Sequence, residues 1–442
     1  MGRQGYKGIA SITNSVYVIN DDGDHVIKIV ELCGKKSCIV KVIAGQPGIE
    51  GNIDAEIGTN ALLSRPGRIQ ADMERRICYF GDRRNKGVRT VRLEGRFPVS
   101  SLNVDFNHLA PEADLDFNRI VLSPHGLSMI LLDRKGPHVF VLTELHSDSP
   151  QVRVVFDNTC GMLPPLQAAA WPVCSSLGHN CWDMCGNQVA NGRLTLLPGS
   201  VEKGLSVSLG CCFFGTGSSV WLGAVPPVDG ATPCGETDEC SDSPVASTSE
   251  SGGGGQLYHV ADLSIIHNKF LVHDIISISS NTILVLNRHS HNTGIWQVSS
   301  GCNWAECAPA AVVDKKTGEG NFSKATRMAL WLGDASRGPV SSAQSVDGGL
   351  VATFVGGHKS WKGPHGMALS PDRRSLLVVD TGEEPDGKRS GMICRMRLAL
   401  DAAGRIRMRG LKVLEQMSPA HADWNPLLDG QEMGEDCPYE FI

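Results

Sequence analysis

Apolar residues along this chain gather in short runs, many strictly alternating, and the runs come in pairs separated by a polar turn. Residues 363–380, GPHGMALSPDRRSLLVVD, show the unit: a strand over PHGMAL, a turn at SPDRR, and an apolar strand SLLVVD that ends on an acid. Short runs bounded by Pro, Gly, Asp and Ser predict strands rather than helices. The frame recurs without a gap at residues 65–82 (RPGRIQADMERRICYFGD) and 116–133 (DFNRIVLSPHGLSMILLD), and one residue shorter at 5–21 and 271–287. A hairpin repeated this way buries its apolar faces only by stacking on its own copies. The repeat therefore predicts an all-β propeller of four-stranded antiparallel blades.

Six blades fit the spacing. In the first, strands are predicted over residues 7–13, 16–19, 25–30 and 39–44, with NDDGD as the turn between the second and third. The fourth blade has the faintest pattern, with strands predicted at RLTLLPGS, LGCCFFG, SSVWLGAV and QLYHVADLSI. The propeller is expected over residues 1–415, with insertions at about 158–191, 225–256 and 300–348, and an acidic tail over 416–442. Residues 225–256 carry six acids, no basic residue and a run of four glycines, a composition that predicts a disordered insertion. The first blade supplies its own inner strand and the last its own outer strand, so no exchanged strand is expected. Either blade packing and the tail close the ring, or the chain begins inside a longer one.

Several short stretches resemble the NHL-repeat propeller family. They are VKVIAG at 40–45, Arg65-Pro66-Gly67-Arg68-Ile69, Tyr79-Phe80-Gly81-Asp82 and Gly87-Val88-Arg89-Thr90-Val91, with VATFVG at 351–356 matching the first again, Val355 replacing its Ala. The resemblance covers most of the chain and is most specific in blades one, two and six. It implies a six-bladed ring with variable loops.

Composition narrows the partners. The chain has 442 residues, 41% hydrophobic, with a net charge of −6, which argues against a protein that binds nucleic acid over its whole surface. No run of about 18 apolar residues occurs, so no membrane insertion is expected. The first residues, MGRQGYKGIASIT, lack the apolar core of a signal peptide, and the cytoplasm is the default location. The fifteen cysteines qualify that default. Cys33/Cys38, Cys234/Cys240 and Cys302/Cys307 are close pairs in loops between outer strands, a spacing that suits disulfides in a secretory compartment and equally suits reduced loop thiols.

Strand order places the candidate chemistry. Inner strands begin, and second strands end, on one face of the ring, the top. His273 and His365 hold equivalent positions at the start of adjacent inner strands, beside the central channel, with His289 and His291 in a nearby top-face turn. Converging imidazoles suit a divalent metal. The PHG and VHD strings also resemble peptidyl-hydroxyglycine amidating lyases, which implies a catalytic zinc held by such histidines. Only two positions match; the others are Lys7, Gly67 and Asn118. Gluconolactonase-type propellers are a further resemblance and imply calcium, toward which Asn118 and Asp274 are the candidates. In the second blade, ten basic residues face four acids between Arg65 and Arg96. Arg68, Arg83, Arg84 and Lys86 are its top-face candidates for binding RNA phosphates or a protein. The reading with the fewest requirements is a non-catalytic propeller that docks a protein partner on its top face. The alternatives are a metal-dependent propeller enzyme using His273 and His365, and RNA binding through the second blade.

Overall fold

The computed structural model describes residues 5–106, 115–122, 126, 128–133, 138–157, 168–170, 210–216, 219–225, 257–263, 270–279, 282–288, 293–300, 330–332, 342–345, 350–358, 361–382, 391–400 and 406–417. The strands among them form six sheets, four of four strands, one of five and one of six. The repeated unit is an antiparallel meander, as in Tyr6–Ser11, Val16–Asp21, Val26–Cys33 and Ser37–Ala44. The fold is a β-propeller, and the inner strands lie side by side from one sheet to the next around the channel.

The alternation read in the sequence is a property of these sheets. Second strands such as Val16–Asp21, Thr282–Asn287 and Ser375–Asp380 are buried along their whole length because both faces are covered by neighbouring sheets. The hydrophobic clusters lie between sheets. Val18, Ile27 and Ile43 of the first sheet meet Ile69, Phe80 and Val91 of the second. Tyr79 and Val88 of the second meet Phe117, Leu131 and Phe140 of the third. Leu284 and Ile295 pack on Met367 and Val378. The sheets approach closely enough that a Cβ at Gly81 would lie 1.9 Å from the Phe117 carbonyl oxygen.

Three expectations are corrected. First, the ring has an added strand: Glu415–Met417 pairs in parallel with Ser37–Ile39 on the outer edge of the first sheet. The Tyr6 hydroxyl donates to Gln416 Oε1 at 2.9 Å, so both ends of the propeller meet there. The expected tail beginning at 416 therefore starts inside this strand. Second, the inner strand of the fourth sheet is Ala168–Ala170, inside the stretch expected to be an insertion, and it pairs with Phe213–Gly215. RLTLLPGS lies outside the described residues. Third, the expected insertion at 300–348 contributes strands Leu330–Leu332 and Ser342–Ser345, which widen the fifth sheet.

The Cys33/Cys38 pairing fails on register. Cys33 opposes Ser37 and Cys38 opposes Leu32, so the two side chains point to opposite faces of their sheet. Cys33 joins the cluster shared with the second sheet, Cys38 the cluster shared with the sixth. Both are buried free thiols, and burial pushes Cys38 up to about 12. Cys234, Cys240, Cys302 and Cys307 lie outside the described residues.

The closing strand is anchored by Leu414, buried against Tyr6, Val30 and Ile393. Leu414→Ala is expected to cost about 2–4 kcal/mol. Urea unfolding checks this; a midpoint within error of the wild type would mean that the strand does not hold the ring.

Candidate functional site

The channel mouth is built by a repeated irregularity. Each described inner strand of the first, second, third, fifth and sixth sheets carries a bulge just after its first residue. Tyr6 opposes Asp21 and Gly8 opposes Asn20, which leaves Lys7 unopposed; Asn118, His273 and His365 are skipped in the same way. In the second sheet the shift falls between Pro66 and Ile69. A bulge re-aims its extra residue. Here it brings Lys7, Asn118, His273 and His365 to equivalent, partly exposed places around the mouth, with Arg68, Arg119 and Asp274 one step deeper and buried.

The two predicted histidines meet directly. His273 Nε2 and His365 Nδ1 are 2.7 Å apart, and their rings stack edge to face with centroids 4.5 Å apart. Arg68 donates to the His365 carbonyl oxygen and Arg119 to that of His273. Arg68 also forms an ion pair with Asp274, and Arg119 Nη1 lies 3.7 Å from the same carboxylate oxygen. Asp274 further accepts the backbone N–H groups of Ile275 at 2.9 Å and Met367 at 2.8 Å. One carboxylate thus joins the second, third, fifth and sixth sheets. Burial raises the Asp274 carboxyl above its usual range, while Arg68 pulls it back. Burial, followed by His273, Arg288, Lys7 and Arg68, holds His365 well below the usual 6.5.

This donor set does not fit the implied zinc or calcium. Two imidazole nitrogens on a tetrahedral zinc stand about 3.3 Å apart, whereas these are at hydrogen-bonding distance. Among the described residues no group of three His, Cys, Asp or Glu side chains converges on a point. Asp274, the residue after His273, is engaged by two guanidiniums and two amides. Arg288, Lys7 and Arg68 place positive charge near His365. His289 and His291 lie outside the described residues.

The basic residues of the second sheet are also engaged. Arg83 is buried and forks onto Asp116 at 2.6 and 2.8 Å, with Asp22 at 3.6 Å. Arg68 crosses the channel to Asp274. Arg84 is exposed and bidentate to Glu50 at 2.8 and 2.7 Å. Lys86 closes a turn with φ of 55°. Arg89 is buried between Asp82 and Asp54. Phosphate recognition needs guanidiniums turned outward; here most of the cluster serves the fold. The sequence reading missed Arg119, although it stands at the same place in the frame as Arg68 and Asp274.

No protein-family model matches the chain. No curated protein matches it either. Solved structures with a similar course include a protein from Lactobacillus plantarum, with 11% identity, a TM-score of 0.44, and 92% of this chain and 85% of that one covered. The periplasmic gluconolactonase of Pseudomonas aeruginosa gives 12%, 0.41, 93% and 86%. A luciferin-regenerating enzyme gives 7%, 0.45, 93% and 94%. Likenesses at this level carry no argument about substrate or chemistry.

Two outcomes follow from this geometry. Arg83→Gln strands Asp116 in the interior and is expected to cost about 3–5 kcal/mol, while Arg84→Gln at the surface costs about 1 kcal/mol or less. Equal effects in chemical denaturation would contradict the burial of Arg83. His365 binds its proton less readily folded than unfolded, so the unfolded chain protonates first on acidification. Its contribution to stability is complete above 6.5 and is lost as pH falls from there through the folded value, by at most about 1.4 kcal/mol per pH unit. His365→Asn should flatten the loss of stability between pH 7 and 5; an unchanged slope would assign that loss to other groups.

Proposed function

We propose that the chain is a six-bladed, NHL-like propeller that works as a non-catalytic protein-interaction platform through its top face. Six sheets and side-by-side inner strands support one blade per sheet. The family kinship rests on the VKVIAG, RPGRI and YFGD stretches. The observation that carries the platform reading is a rigid top-face loop, residues 45–65, which presents Ile49 and Ile53 to solvent at 49% and 52% exposure.

Its rigidity has a definite source. Arg89 donates to the carbonyl oxygens of Leu62 and Ile53, both at 2.7 Å, and to Asp54 and Asp82 at 2.6 and 2.9 Å. Asn85 donates to Gly51, and Ala55 pairs with Val99 at the outer edge of the second sheet. Apolar side chains held out on a pinned backbone lose little further entropy when a partner covers them. They suit a protein partner that offers apolar contacts. Among the described residues the enzyme reading has no third ligand beside His273 and His365, and the RNA reading loses Arg68 and Arg83 to internal pairs.

The test is quantitative affinity capture with the wild type and with Ile49→Asp/Ile53→Asp. We expect a defined set of proteins to be enriched by the wild type and lost by the variant, with unchanged thermal stability. Identical enrichment would remove this loop as the docking surface. A stoichiometric zinc or calcium lost in His273→Ala would overturn the non-catalytic reading.

A further inference from the structure

The composition of the channel mouth points to a ligand class that neither scaffold nor metal chemistry covers. Every described bulge position that is partly exposed there carries a hydrogen-bond donor: the Lys7 ammonium, the Asn118 amide and the His273 and His365 imidazoles. None is an acid. One step deeper, two buried guanidiniums, Arg68 and Arg119, share the single carboxylate of Asp274. Arg119 is 5% exposed, and its Nε and Nη1 have no hydrogen-bond acceptor among the described residues. Nη1 has only the long ion pair to Asp274, and a buried guanidinium whose donors make no hydrogen bond costs free energy until an acceptor reaches it, more so beside a second cation. Lys7 forms an ion pair with Asp22 and lies at the partly exposed rim of the mouth.

We propose that the top mouth of the channel, between Lys7, Asn118, Arg119 and the His273–His365 pair, binds a free small oxyanion, a carboxylate or phosphate group of one or two charges. Its oxygens accept from Lys7 and from Arg119 Nε and Nη1, while the amide of Asn118, whose buried Oδ1 has no partner among the described residues, turns its nitrogen inward to supply a neutral donor. The histidine pair closes the opposite side. Burial chiefly keeps the proton off His365, and the cations that add to it, Arg288, Lys7 and Arg68, also repel a metal ion and attract an anion. The site is small, because Arg68 and Arg119 cross the channel beneath it. This assignment is independent of the docking loop.

Isothermal titration of the purified protein with inorganic phosphate, and separately with acetate, at constant ionic strength and pH 7 tests it. The wild type is expected to bind at least one of the two saturably and with unit stoichiometry. Lys7→Gln and Arg119→Gln should each weaken that binding about tenfold or more, the worth of one charge-assisted hydrogen bond. Arg84→Gln, at the exposed surface, should leave it unchanged. Absence of saturable binding to the wild type overturns the proposal, as does wild-type affinity in Lys7→Gln or an equal loss in Arg84→Gln. If Arg119→Gln fails to fold, Lys7→Gln alone decides, since Lys7 lies at the partly exposed rim.

Discussion

Among the described residues, a side-chain cap at the end of the second strand fixes where the blade begins in five of the six sheets. Asp21 accepts the N–H of Gly5 at 2.7 Å, Asp82 that of Ser64 at 2.7 Å and Asp133 that of Asp116 at 3.0 Å. Asn287 does the same for Leu271 at 3.0 Å and Asp380 for Gly363 at 3.0 Å. The donor in each case stands just ahead of the inner strand, where the bulge takes the backbone out of the regular ladder. A buried N–H there needs an acceptor, and a carboxylate with several lone pairs serves more than one. Asp380 also takes the amides of Lys362 and Gly382, and Asp21 those of Gly23 and Asp24. The cost of burying these carboxylates shows at Asp82 and Asp380, where burial raises the pKa. In two sheets a cation seven residues on offsets it, Lys28 on Asp21 and Arg89 on Asp82.

The cap decides what the channel contains. By pinning the first residue of each inner strand it puts the next residue on the bulge, and so arranges Lys7, Asn118, His273 and His365 in one tier. The tier below becomes Arg68, Arg119 and Asp274. Ion pairs buried this way add little net stability over apolar filling, but they are specific about partners. Asp274 accepts guanidiniums from two distant sheets and an amide from an adjacent one, an arrangement that a shifted sheet would break. The fold and the electrostatics of the mouth are therefore one construction: the groups that set the ring also set its positive potential.

The hairpin frame was legible in the sequence because its cap is a side chain. An Asp or Asn closing an apolar run, sixteen to eighteen residues after the lead-in, is visible without coordinates. What was not legible has physical reasons. Ala168–Ala170 has neither alternation nor β-branched residues, because an inner strand beside the axis can be small. The closing strand Glu415–Met417 is three residues long and belongs to its sheet only through pairing with Ser37–Ile39. The arginines of the second sheet read as a surface because their partners lie elsewhere in the chain, Asp116 thirty-three residues from Arg83 and Asp274 two sheets further on. Charge counting sees the cations and not the contacts. The equivalence of the two histidines in the hairpin frame could be read from spacing; their direct bond to each other depends on a separation no spacing rule contains.

Closure of the ring follows from the same economy of unpaired backbone. A propeller that supplied every blade in full from contiguous chain would leave its first and last sheets joined by side-chain packing alone. Here the chain leaves the last outer strand at Val413, buries Leu414 between the first and sixth sheets, and adds Glu415–Met417 to the edge offered by Ser37–Ala44. The Leu414 N–H bonds the Ile393 carbonyl oxygen, and Gln416 bridges the Tyr6 hydroxyl and the Gly391 carbonyl oxygen. Three short backbone pairings and one leucine thus tie residue 6 to residue 416. Such a contact spans the longest loop in the chain, and its entropy of closure is recovered only after the intervening sheets have formed. The seam between the first and sixth sheets lies beside Lys7 and His365. Whatever occupies the channel mouth spans that seam, so a ligand held by both residues stabilises the closed ring by its differential affinity for it.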